Sequence, residues 1–123
     1  MEQTIALFAG LMALAGPGDT LDAYRWEARP ILVFADAADP HLARQVADFA
    51  DVADALRERR NVVIVDTNAD SVLRRRFGPD GFTVILIGLD GGEKARERGP
   101  VPATVFNGEI DAMPMRRREL DAN

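Results

Sequence analysis

Ile31 to Ala35, ILVFA, is apolar at every position and has the length of a strand covered on both faces. Pro30 opens it. The rhythm then changes. After Asp39-Pro40, the residues Leu42, Val46, Phe49, Ala53 and Leu56 recur at alternating spacings of four and three, one apolar stripe of a long helix. Asp39 suits the N-cap and Pro40 the first helical position. Arg57, Arg59 and Arg60 lie at the end where the helix dipole favours positive charge. Asn61 to Asp66, NVVIVD, reads as a second strand, so strand, helix and strand form a right-handed crossover with parallel pairing. A shorter helix from Asp70 to Phe77, capped by Asp70 or Ser71, ends at Gly78-Pro79-Asp80-Gly81. Phe82 to Leu89, FTVILIGL, is the most apolar run and is expected at the centre of the sheet. Asp90-Gly91-Gly92 supplies the turn of a hairpin, and the charged return EKARER (Glu93 to Arg98) reads as an edge strand. From about Ala103 the chain is helical and restarts at Pro114, with Asp111 as a cap before it.

The expected order is β-α-β-α-β-β-α, an α/β fold with a four-stranded mixed sheet flanked by helices. That is the thioredoxin architecture. Upstream, Gly16-Pro17-Gly18-Asp19 marks a boundary, so the domain is expected over residues 16–123, with Leu21 to Trp26 a turn that lays Tyr24 and Trp26 on the core. Residues 1–15 carry the apolar run IALFAGLMALA, of signal-peptide length and too short to span a bilayer. Ala13-Leu14-Ala15 before Gly16 has the small–x–small form that a signal peptidase cuts. The first four residues, MEQT, carry no lysine or arginine, which favours a buried or interfacial first helix instead. An extracytoplasmic location, periplasmic or secreted, is the favoured expectation, with a cytoplasmic one open.

Composition removes chemistry more than it adds any. Cysteine is absent, which excludes disulfides, thiolate nucleophiles and cysteine-ligated metals. His41 is the single histidine and Ser71 the single serine, so neither a histidine-rich metal centre nor a serine–histidine–aspartate triad is credible. The net charge of -5 argues against general nucleic-acid binding. No cofactor is expected.

Gly81-Phe82-Thr83-Val84-Ile85-Leu86-Ile87-Gly88, then Asp90, Gly91 and Lys94, and finally Asp111, Met113, Pro114, Met115 and Arg116 within IDAMPMR resemble the domain-of-unknown-function 4174 family (DUF4174). Trp26 and Arg29, before the first strand, fit the same pattern. The resemblance covers about Leu21 to Leu120. It implies a thioredoxin-like domain of a kind also found in animal extracellular proteins, coiled-coil-domain-containing protein 80 and the sushi-repeat-containing proteins, without an established reaction. Leu89 departs from the pattern, where the family usually has lysine. Thioredoxins place a reactive cysteine between the first strand and first helix; here that stretch is Asp36-Ala37-Ala38-Asp39-Pro40-His41. The cis-proline usual before the third strand is replaced by Phe82-Thr83.

The expected activity is therefore non-catalytic binding, with an unidentified protein or a small anionic ligand as partner. The candidate surface surrounds the former active-site loop: Asp36, Asp39, His41, Phe82 and Thr83, together with Arg116. Against it, Asp39 satisfies helix amides as a cap and Asp36 is a turn residue. The alternative is a thiol-free enzyme or anion-binding protein using Asp36, His41 and Arg116. Arg74-Arg75-Arg76 and Arg116-Arg117-Arg118 form an anion site only if their helices lie side by side. Met113 and Met115 are expected to fill gaps against the sheet; as soft copper(I) ligands they lack a third donor. Gly91-Gly92 is a hairpin turn and not a phosphate loop, because no helix follows it.

Overall fold

The computed structural model describes residues 11–122. Its strands are β1 (Met12–Leu14), β2 (Arg29–Phe34), β3 (Asn61–Asp66), β4 (Thr83–Ile87) and β5 (Glu93–Arg98). The helices are α1 (Pro40–Asp51), α2 (Ala53–Glu58), α3 (Val72–Phe77), α4 (Asn107–Asp111) and α5 (Pro114–Asp121), and a single 3-10 turn spans Asp22–Tyr24. The fold is α/β, but the sheet has five strands and not the expected four, in the order β1-β3-β2-β4-β5. Parallel pairing joins β1 to β3 and β3 to β2; antiparallel pairing joins β2 to β4 and β4 to β5. The middle strand is β2, not β4 as its apolar composition suggested.

Because successive side chains of a strand point to opposite faces, β2 feeds two cores. Ile31 and Val33 meet Val63, Val65, Val84 and Leu86 on one face, covered by Phe49 of α1, Leu56 of α2 and Ile110 of α4. Leu32 and Phe34 meet Ile64, Ile85 and Ile87 on the other, covered by Leu73 and Phe77 of α3. This two-sided burial accounts for the continuous apolar runs. It also places α3 and the α1–α2–α4 layer on opposite faces, so the two arginine triplets are not neighbours. Arg74 donates to the carbonyls of Asn68 and Asp66, and its guanidinium sits over the Phe34 ring.

The extra strand is short but anchored. The Val63 amide donates to the Leu11 carbonyl at 2.7 Å and the Ala15 amide to the Val65 carbonyl at 2.8 Å, with Leu11 and Met12 both fully buried. The cleavage-like Ala13-Leu14-Ala15 thus lies in and just after β1. Residues 1–10 of the expected leader fall outside the described residues.

Local signals are realised with three corrections. The expected long helix is two, broken at Val52 (φ -119°, ψ 33°), yet both halves keep their apolar stripe on one core because Phe49 and Leu56 reach it from either side. Trp26 does not lie on the core: it is 54% exposed and left-handed at φ 66°. Asp111 does not cap α5, whose N-cap is Met113; its carboxylate is taken by Arg59 and Arg116. Ser71, not Asp70, caps α3, its hydroxyl accepting from the Arg74 amide at 3.0 Å, and Gly78 closes it in the left-handed region. The cis peptide bond is Gly99-Pro100, after β5.

Candidate functional site

The register of β2 decides which candidates can meet. Phe34, at its C-terminal end, pairs with Thr83, whereas Ile31 pairs with Leu86. Asp36, Asp39, His41, Phe82 and Thr83 therefore gather at one end of the sheet, and the exit of β4 toward Gly88 lies at the other, beside Arg29. Six residues of strand at about 3.3 Å each separate the ends by roughly 20 Å.

At the first end the geometry is that of a capped helix. The Asp39 carboxylate accepts from the His41 amide at 2.8 Å and contacts the exposed His41 ring at 3.0 Å. The Asp36 carbonyl accepts from the Asp39 amide, and its side chain is exposed. Thr83 is buried, its hydroxyl directed to the Gly81 carbonyl at 3.1 Å. Phe82 is half-buried against the core.

Arg116 is not there. It is 3% exposed at the opposite end, donating through Nε to Asp111 at 3.1 Å and through Nη2 to Glu58 at 2.9 Å. Arg59 grips the same Asp111 carboxylate through Nη2 at 3.0 Å. Arg29, 1% exposed, forks onto both Glu119 oxygens at 3.2 Å and donates to the Arg59 carbonyl at 2.9 Å. Glu119 also approaches Arg116 at 3.5 Å and Arg60 at 3.8 Å. The network holds Asp111 below the usual carboxylate range, mainly through the Arg59 hydrogen bond. Burial alone would raise Glu119; Arg29, Arg60 and Arg116 outweigh it and leave that carboxyl lowered. Arg116 tethers the closing helix to Asp111 and Glu58, so Asp36, His41 and Arg116 form no common site.

In front of this network lies a cleft of about 200 Å³. Trp26, Leu89, Met113, Pro114 and Met115 give it apolar walls, and Arg29, Gly88, Asp90 and Lys94 complete it. Each wall has a local cause. The amide of Trp26 donates to the Leu89 carbonyl at 2.6 Å, which fixes the residue in its left-handed conformation and turns the indole out of the core. Positive φ is unusual for a bulky residue. Gly88 lets the Lys94 side chain lie close: a Cβ there would stand 2.4 Å from Lys94 Cε, and that flexible end would have to shift. Lys94 Nζ donates to Asp90 Oδ2 at 2.9 Å while the Gly92 amide donates to Oδ1 at 2.9 Å. The Gly92 amide first, and Lys94 next, hold Asp90 below the usual carboxylate range. α5 begins at the cleft, and its N-cap, Met113, offers no side-chain cap.

Much of the pattern behind the family resemblance thus converges on this end: Trp26, Arg29, Gly88, Asp90, Lys94, Met113, Pro114 and Met115 line the cleft, Gly91 turns its hairpin, and Asp111 and Arg116 brace it from behind, whereas Gly81, Phe82 and Thr83 of the same pattern lie at the other end. Sequence reasoning named these residues but not their meeting place. The antiparallel return of β4 beside β2 was the available signal. Glu58 and Glu119 went unremarked and Arg59 was read only as a helix-end charge; buried Gln45, which clamps the Val101 backbone through both ends of its amide at 2.9 and 2.8 Å, was also missed.

Among the described residues, no group of three or more His, Cys, Asp or Glu side chains is placed to hold a metal ion, and no helix is long and apolar enough to cross a membrane. A family model described as domain of unknown function (DUF4174) matches residues 20–119. No curated protein matches the chain.

Proposed function

The chain belongs to the DUF4174 family, and from that premise we propose that it is a non-catalytic binding module whose ligand seat is the cleft under Trp26. One observation carries this reading: a half-exposed tryptophan, held at φ 66°, lines one cleft with two methionines and a proline. Backbone of that kind costs roughly 1–2 kcal/mol for a non-glycine residue, and it here presents a large apolar side chain to solvent. Apolar walls with a few placed polar groups are what small-ligand seats require. The strand order, a parallel crossover followed by an antiparallel hairpin, supports classing the module as thioredoxin-like, without the thiol chemistry of that fold. An enzyme built on Asp36, His41 and Arg116 needs them together, and they lie at opposite ends of the sheet.

Export belongs to the same proposal on the apolar run from Ile5, with any cleavage before Leu11 and not at Ala13-Leu14-Ala15. The mature chain is expected to keep Leu11 to Leu14, since Leu11 and Met12 are core residues. Fractionation of the native host followed by N-terminal sequencing tests both points.

Trp26 is the chain's single tryptophan, so its emission reports on the cleft without labelling. A fragment screen followed by this emission should yield compounds that shift it saturably, and Met115→Ala should weaken them. Fragments that bind only near Asp36 and His41 would move the seat to the other end.

A further inference from the structure

We propose that the ligand of this cleft, if the binding-module reading holds, is a small aromatic carboxylate, its ring under Trp26 and its anionic end at the start of α5. Four observations carry the chemistry. Size comes first. An apolar cavity of about 150 Å³ accepts benzene, so a cleft of about 200 Å³ holds one six-membered ring with a short arm. Trp26, Met113 and Met115 supply the stacking and sulfur contacts that favour an aromatic ring.

The second observation is an unmet donor. Arg29 lines the cleft and is 1% exposed, yet its Nε has no hydrogen-bond partner, while both terminal nitrogens are taken by Glu119 and the Arg59 carbonyl. A buried donor in that state calls for an acceptor. The third is the start of α5: Pro114 has no amide, and those of Met115 and Arg116 have no intrahelical acceptor and no side-chain cap, while Met113, Pro114 and Met115 place that turn on the cleft wall.

The fourth is charge. Behind the cleft, the guanidiniums of Arg29, Arg59, Arg60 and Arg116 face the carboxylates of Glu58, Asp111 and Glu119, leaving one positive charge over among these seven side chains. Lys94 engages Asp90 with one of its three donors and has two more to offer. The chain as a whole carries -5, so an excess of one cation among these seven side chains stands against its overall charge. The same cations disfavour a copper(I) ion on the methionine pair.

A trapped water would satisfy Arg29 Nε equally well, but it needs no negative charge, and that difference is measurable. Trp26 emission is titrated with phenylacetate, with 2-phenylacetamide of nearly the same shape, and with acetate. The acid should bind at least tenfold more tightly than the amide, acetate should not compete at equal concentration, and Lys94→Met should bring the acid toward the amide's affinity while leaving Tm unchanged. Equal affinity for acid and amide would overturn the carboxylate assignment and leave the cleft reading standing. Silence from every ring compound, in emission and in Tm alike, would overturn both.

Discussion

At the scale of single residues, the Arg29–Glu119 pair couples the fold to pH. Arg29 is almost wholly buried, and Glu119 supplies both oxygens to its fork. Removing one partner of a buried pair leaves an uncompensated charge, at a cost of roughly 3–5 kcal/mol; Glu119→Ala should fall near the lower end, because Arg29 keeps the Arg59 carbonyl, and urea denaturation measures it. Glu119 and Asp111 are both lowered from ordinary values of 4.5 and 3.8. A lowered carboxyl contributes stability that is fully present above its unfolded value and is lost as pH falls through the folded one. Tm should therefore hold from neutrality to about pH 5.5 and drop below it, and Glu119→Gln should drop less steeply over the same window. Two glycines separate steric cost from functional cost. A Cβ on Gly99 would meet the packed Phe82 ring at 2.6 Å and Val84 at 3.1 Å, whereas one on Gly88 meets mainly the flexible end of Lys94. Gly99→Ala should cost about 1–3 kcal/mol by overpacking. Gly88→Ala should cost less than its closer approach suggests, and should instead displace Lys94 from Asp90 and weaken anion binding.

At the scale of elements, the sequence was legible wherever two signals agreed. Asp39-Pro40 and the stripe from Leu42 to Leu56 marked one helical region correctly because cap and periodicity coincide there, and Gly91-Gly92 before EKARER marked the hairpin. It was least legible at β1. Met12–Leu14 is three residues long, too short for alternation to register, and its apolar flank reads as a leader peptide. Only pairing with β3 shows what it is. Leu11 and Met12 are each 1% exposed, and full burial of such a side chain contributes about 1.5–3 kcal/mol. A chain beginning at Gly16 should lose roughly 3–6 kcal/mol on that basis and uncover the edge of β3, an apolar strand prone to pair with other chains. A chain beginning at Leu11 keeps both buried side chains and the pairing of β1 with β3, and serves as the reference. Paired denaturation curves and light scattering of the two truncations decide whether β1 is part of the fold. The break at Val52 was illegible for another reason: the stripe runs through it, so periodicity carries no mark of the turn.

At the scale of the whole molecule, the sheet separates two sets of residues that chain position had merged. Expectation centred on the loop after β2, because the thioredoxin fold expected from the sequence does its chemistry there, and Arg116 was added for its motif. In three dimensions, that loop is a helix cap beside a buried threonine of β4, while motif residues from three stretches of chain assemble at the far end. No local pattern encodes that meeting; it follows from the antiparallel return of β4 and from the tether of α5 through Arg116 to Glu58 and Asp111. The ends lie roughly 20 Å apart by strand length, more than twice the screening length of about 8 Å at physiological salt. Charges at one end therefore have little influence on an anion at the other. Asp36→Asn combined with His41→Ala should leave the phenylacetate dissociation constant within about 1.5-fold of the parent at physiological salt, where screening suppresses what long-range attraction remains. Lys94→Met, inside the cleft, should raise it about tenfold, one ordinary charge-assisted contact. Calorimetry on both variants reads the contrast directly. A comparable loss in the Asp36 and His41 variant would mean that the sheet transmits between its ends, and the two sets would then have to be treated as one site.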